Sequence, residues 1–205
     1  NKGNHGGGVN FSSGLIKNSK ITNNEGVVGH SGASFGGGLY LTGDPVLENV
    51  LISGNSASDY GGGVCSRFNK SNPSLINVSI IDNVCIANYG SGIQIYDYGA
   101  ISLKNCIVWG SDANQIEKTL GTSISISYSN IKGGWDGEGN ISSDPQFVDP
   151  ANGDYRLSDY SPAIGVGTSE DATKTDIDGN PRPNPPDSNP DLGAYENKLR
   201  NPTDD

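Results

Sequence analysis

The sequence predicts an all-β chain wound as a right-handed parallel β-helix, a solenoid of about five coils closed by a Pro-rich irregular segment. Three observations carry this expectation. Glycine-rich starts recur at coil-length spacing, an Asn-led marker follows each start at one phase, and apolar residues between them alternate with strand period.

The starts are GGGV at Gly6, GGGL at Gly36, GGGV at Gly61 and GSGI at Gly90, separated by 30, 25 and 29 residues. Such spacing is too short for a strand–helix–strand unit, and no segment has helical periodicity. It suits three short strands per coil, with right-handed crossovers as parallel connections require. Leu39-Tyr40-Leu41 and Ile93-Gln94-Ile95 show the alternation of a first strand, one residue inward and the next outward.

The markers read IKNSKITNN, LENVLISGN, LINVSIIDN and LKNCIVWGS. Asn18, Asn49, Asn77 and Asn105 share a phase, with Ile21, Ile52, Ile80 and Val108 three residues on. Asn24, Asn55 and Asn83 follow by six residues, and Ser111 takes that place in the fourth coil. Stacking brings equivalent positions to ~4.8 Å. Side-chain amides there can bond along a ladder, and Asn tolerates the left-handed turn such corners need. Val50, Val78 and Cys106 form an inward column, which makes Cys106 a small core hydrophobe. The residues before the glycine triplets are His5, Phe35, Tyr60 and Tyr89, a column of rings read first as an offset stack and second as a glycan-stacking strip. A shorter fifth coil runs through Gln115-Ile116 and Ile124 to Ile131, with Tyr128 at the Asn phase.

Composition agrees with a solenoid. Gly makes up 30 of 205 residues and apolar residues only 33%, which fits coils that each bury a thin strip. Residues 1–135 hold eight basic and eight acidic residues, whereas residues 136–205 hold five and fifteen and so supply the whole net charge of −10. Nine of the eleven prolines lie at or after Pro145. Both shifts divide the chain into coils over residues 1–134 and a capping segment over 135–205. Phe147, Val148, Leu157, Ile164, Leu192 and Tyr195 are expected to pack on the last coil, and Arg156 and Arg182 to pair with carboxylates such as Asp178 or Asp191. An acidic, Pro-rich cap keeps a terminal strand edge from extending its sheet. Asn1 to Gly8 already sit in repeat register, so further coils or a partner protein are expected at that edge. No basic cluster suits nucleic acid, no run is long and apolar enough for a transmembrane segment, and Cys65, Cys85 and Cys106 have no metal-ligand spacing.

The run YSNIKGGWDGEGNISSDPQFVDPANGDYRLSDYSPAIGVG, with DIDGNPRP and DLGAYE, resembles the C-terminal portion of bacterial surface β-helix proteins that carry a choice-of-anchor domain. The resemblance spans roughly Leu103 to Glu196, and Gly165 stands where that family often has an acidic residue. It implies secretion and display at the bacterial cell surface or outside the cell, without implying a reaction.

Outward positions of the first strands offer the candidate site. Tyr40, Arg67, Gln94, Tyr96 and Asp97 form an expected glycan-contacting face, with Arg67 the single arginine of the coils. The expected role is a non-catalytic structural, adhesive or filament module that contacts polysaccharide. The alternative is a carbohydrate-active enzyme, foremost a polysaccharide lyase, which would need a basic residue for proton abstraction and often calcium. The coils have no net charge with which to attract a polyanion. TDIDGN at Thr175–Asn180 has part of a calcium-loop pattern but lacks its later bidentate Glu, and reads first as an Asp-Gly turn. His5 and His30 lack a third ligand at readable spacing. No cofactor is expected beyond calcium.

Overall fold

The computed structural model describes residues 1–29, 32–68, 71–110, 112 and 114–198. His30 and Ser111 lie outside the described residues.

The chain is an all-β parallel solenoid with three strand columns. In the first, Val9–Phe11, Leu39–Leu41, Val64–Arg67, Ile93–Tyr96 and Ile116–Lys118 pair in parallel, each with the strand of the next coil. In the second, Leu15–Thr22 lies beside Val46–Ser53, and later coils split this long strand into pairs such as Ser74–Ile76 and Ser79–Ile81. The third is short: Lys2–Gly3, Glu25–Gly26, Ser56–Ala57 and Val84–Cys85. Three successive turns, starting at Val9, Leu39 and Val64, carry strands on all three faces. Among the described residues the next two show no strand in the third column, so about three complete turns stand where five coils were expected.

The repeat phase holds at residue level. Ile21, Ile52, Ile80, Val108 and Ile131 lie in one register column, and Ile16, Leu47, Leu75, Leu103 and Ile126 in another. With Val50, Val78 and Cys106 they fill the interior. Burial raises the Cys106 thiol to about 12, consistent with an inert core position.

Glycines and asparagines turn the corners for different reasons. Gly36 adopts φ +69°, a region closed to most side chains. A Cβ on Gly37 would fall 2.3 Å from carbonyl oxygens of Gly62 and Ser56, so stacked coils leave no room for one. Asn18, Asn49, Asn77, Asn105 and Tyr128 all have positive φ, between 46° and 54°. The continuous ladder runs through the other Asn column: Asn24 Nδ2 donates to Asn55 Oδ1 and Asn55 Nδ2 donates to Asn83 Oδ1, each at 2.9 Å. In the corner column Asn49 donates to Asn18 Oδ1 at 2.9 Å. The C-terminal segment meets Asn105 through Thr168 and donates Thr173 N–H to Asn77 Oδ1, while Asn77 Nδ2 has no hydrogen-bond partner among the described residues.

That segment does two things. Residues 135–144 close the second-column side of the last coil. Trp135 packs on the end of the core, Tyr128 N–H donates to Glu138 O, and Ile131 N–H donates to Ile141 O. From Pro145 onward the chain runs back along the flank of the coils as a strap. Phe147, Leu157, Ile164, Leu192 and Tyr195 therefore pack on Leu51, Ile81, Ile107 and Trp109 of earlier coils, while Val148 is exposed. The expected packing on the last coil is corrected accordingly. The outward positions Leu51, Ile81 and Ile107 are apolar and need covering, and the strap covers them.

The strap is pinned by single-copy polar contacts. Arg182 pairs with Glu196 at 2.7 Å, both fully buried, and donates to Asn49 Oδ1 at 3.0 Å. Arg156 pairs with Asp154. Neither arginine takes Asp178 or Asp191, the expected carboxylates, because Glu196 and Asp154 are nearer in the folded strap. Thr173 and Thr168 engage Asn49 and Asn105, and Gly193 N–H donates to Asn105 O.

Candidate functional site

The glycine triplets leave each coil with a ring just before the turn, and parallel stacking aligns those rings. His5, Phe35, Tyr60 and Tyr89 form consecutive stacked pairs with centroids 5.4, 5.0 and 5.4 Å apart. The column leans over the outer face of the first sheet. Phe35 and Tyr60 pack with Tyr40, Cys65 and Tyr96 in a small second core. The rings of a stack face one another, so this column serves packing before it serves a ligand.

The consequence alters the expected site. Tyr40 is 4% exposed and Gln94 1% exposed, so neither outward strand residue lies on a solvated face, and Tyr40 packs under the His5 and Phe35 rings. Gln94 Oε1 has no hydrogen-bond partner among the described residues. Arg67, Tyr96 and Asp97 remain at the margin. Arg67 Nε donates to Asp97 Oδ2 at 2.7 Å. Its guanidinium sits 4.4 Å from the Phe35 ring centroid, 4.9 Å from that of Phe68 and 5.1 Å from that of Tyr96. Desolvation works against its charge, but Asp97 and Tyr40 outweigh that and hold its pKa above the ordinary arginine value. A permanently charged, ion-paired arginine clasped by three rings suits clamping, not proton abstraction.

Beside this clamp runs a ledge that the strand pattern does not show. The first strand of each coil ends in a turn, and at three successive coils that turn exposes an apolar side chain: Phe68 (47%), Tyr98 (66%) and Leu120 (96%). Phe68, Asp97 and Tyr98 adopt φ of +84°, +53° and +60°. Bulky residues at positive φ are uncommon and cost about 1–3 kcal/mol each. The Tyr98 ring rests on Gly121, where a Cβ would fall 2.4 Å from two ring carbons. The signal in the sequence is Phe68 and Tyr98 following the first strands where the first two coils have Ser12-Ser13 and Thr42-Gly43.

A cleft of about 440 Å³ opens in the strap, lined among others by Phe147, Leu157, Tyr195, Asp159, Asp178 and Asn180. Its polar groups are largely turned on one another. Arg156 is held by Asp154, and Asn197 donates to Asp159. Asp176 accepts the backbone N–H groups of Asp178, Asn180 and Glu196 as well as the Asn180 amide. That is the hydrogen bonding of an Asp-Gly turn, and it occupies both oxygens of the carboxylate that a calcium loop would need. Among the described residues no three His, Cys, Asp or Glu side chains converge as a metal site, and no helix is long and apolar enough to cross a membrane.

No protein-family model, no curated protein and no solved structure matches the chain. The parallel solenoid therefore rests on the strand register itself.

Proposed function

We propose that this chain is a non-catalytic β-solenoid module of a secreted or surface-displayed bacterial protein, with a structural or adhesive role. One observation carries the reading: Arg67, the single arginine of the coils, is bonded to Asp97 and enclosed by Phe35, Phe68 and Tyr96, so the group best placed to act on an anionic polymer is committed to holding the fold. The choice-of-anchor resemblance of Leu103 to Glu196 supports surface display.

The geometry favours an adhesive or spacer role over an open-ended filament. Head-to-tail stacking needs two open ends, and residues 135–144 cover part of the last coil. The first-column strand on that side, Ile116–Lys118, places charged Glu117 and Lys118 at the edge, a device that discourages strand addition.

Incubation with calcium and a panel of uronic-acid polysaccharides, followed by absorbance of unsaturated products, tests the reading. No product is expected from folded protein. Product that disappears in Arg67→Ala would replace it with a polysaccharide lyase.

A further inference from the structure

We propose that the turn ledge of Phe68, Asp97 and Tyr98 binds a neutral glycan, with Tyr98 as the principal stacking platform. The proposal rests on the extracellular module reading and names the ligand class for its aromatic margin. Tyr98 is held from behind by Gly121 and is largely exposed. Phe68, in the preceding coil, has the Arg67 guanidinium close to its ring and is about half exposed. Both rings are thus fixed by their surroundings and directed outward, so little side-chain freedom remains to be lost on binding. Their backbones are held in the left-handed region, where side chains of this size are seldom found. Such strain clusters at ligand-contacting positions.

The surroundings choose the ligand class. A sugar ring combines an apolar C–H face with peripheral hydroxyls. The rings supply a surface for the first. Asp97 supplies acceptors for the second: Oδ2 already takes Arg67 Nε–H, and the carboxylate is still 42% exposed. Successive coils lie ~4.8 Å apart, close to the length of one sugar unit, so adjacent coils can meet adjacent sugars. A polyanion is disfavoured. Arg67 is neutralised by Asp97, and residues 1–135 carry eight basic against eight acidic side chains. A protein partner would require a continuous apolar patch with a desolvated centre, whereas the half-exposed, Arg67-paired carboxylate of Asp97 lies beside Phe68 and next to Tyr98 in the same turn.

Calorimetric titration of the whole chain with cellohexaose, xylohexaose, mannohexaose and, as the anionic comparison, hexagalacturonate tests this. At least one neutral hexaose is expected to bind. Tyr98→Ala should weaken it at least tenfold, and Phe68→Ala and Asp97→Asn by smaller factors. Tyr98 is exposed, so an unchanged circular dichroism spectrum and melting midpoint should show that the variant folds. No binding by any neutral hexaose, binding indifferent to Tyr98→Ala, or binding of hexagalacturonate alone would overturn the proposal. Unsaturated product is measured with hexagalacturonate, the one oligomer whose uronate carboxylates permit elimination. Binding of a neutral hexaose together with product from hexagalacturonate would sink the non-catalytic reading and keep the ledge. Neither binding nor product would sink the ledge and keep the module.

Discussion

The coils and the strap bury comparable side chains by opposite means. In the coils, like meets like: Asn55 sits between Asn24 and Asn83, and Ile52 between Ile21 and Ile80. Each contact is made again one coil later. In the strap every contact is made once, between unlike residues: Arg182 with Glu196 and Asn49, Thr168 with Asn105, Tyr155 with Asp82. Stability in the coils is thus approximately a sum over similar neighbours. In the strap it hangs on a few buried polar groups whose loss nothing nearby can replace.

The largest expected effect falls on the strap. Arg182→Met leaves Glu196 as a buried carboxylate without its cation, a loss of about 3–5 kcal/mol. Trp109 packs against the strap and Trp135 against the end of the core, so variants that retain one tryptophan each report on one region. The Trp109 unfolding midpoint should drop well below that of Trp135. Equal drops would show that strap and coils unfold as one unit and would break the comparison. Within the coils, Asn55→Leu is next in size. It removes the acceptor of the Asn24 backbone and amide N–H groups and the donor to Ile21 O and Asn83 Oδ1. Asn83 Oδ1 keeps the Asn55 N–H, which leaves three orphaned groups; at the lower figure of about 1 kcal/mol apiece a loss of about 3 kcal/mol is expected from urea midpoints. Asn18→Ala, at an exposed end of the other column, should lose less than about 1 kcal/mol. Similar losses at the two sites would mean that ladder position does not matter.

The same contrast decides what was legible. Register repeats because stacked coils place equal positions together, so a period in the sequence is a contact in the fold. Tyr128 shows how far this reaches: it stands at the Asn phase and adopts the same left-handed turn, with φ +46°. The site was less legible because strand alternation tells which way a side chain leaves the sheet, not what lies above it. Tyr40 and Gln94 leave the outer face of the sheet, yet both are buried there, Tyr40 against His5 and Phe35. The strap's course left a fainter mark. Val50-Leu51-Ile52, Ile80-Ile81 and Ile107-Val108-Trp109 break alternation with consecutive apolar residues, the pattern of a strand buried on both faces. Pairing between particular unlike residues, such as Arg182 with Glu196, has no period and left no mark.

A dependence on pH, smaller than the losses at Arg182 and Asn55, should also divide the regions. Asp191 is 1% exposed; its Oδ1 accepts Gly165 N–H and its Oδ2 accepts Asn197 N–H. Burial, with the nearby Glu196 charge, raises its pKa to about 7 from an ordinary 3.8. The folded strap therefore holds this proton more tightly than the unfolded chain does. The resulting stabilisation is complete below about pH 4 and disappears as pH rises through about 7. Between pH 5 and pH 8 the loss should be about 2–3 kcal/mol, read as a lower urea midpoint for Trp109 with little change for Trp135. Asp191→Asn cannot titrate and should flatten the Trp109 dependence, whatever constant offset its altered bond to Asn197 introduces. A slope that survives in Asp191→Asn would assign the proton to another group. An equal slope at both tryptophans would again join strap and coils into one cooperative unit.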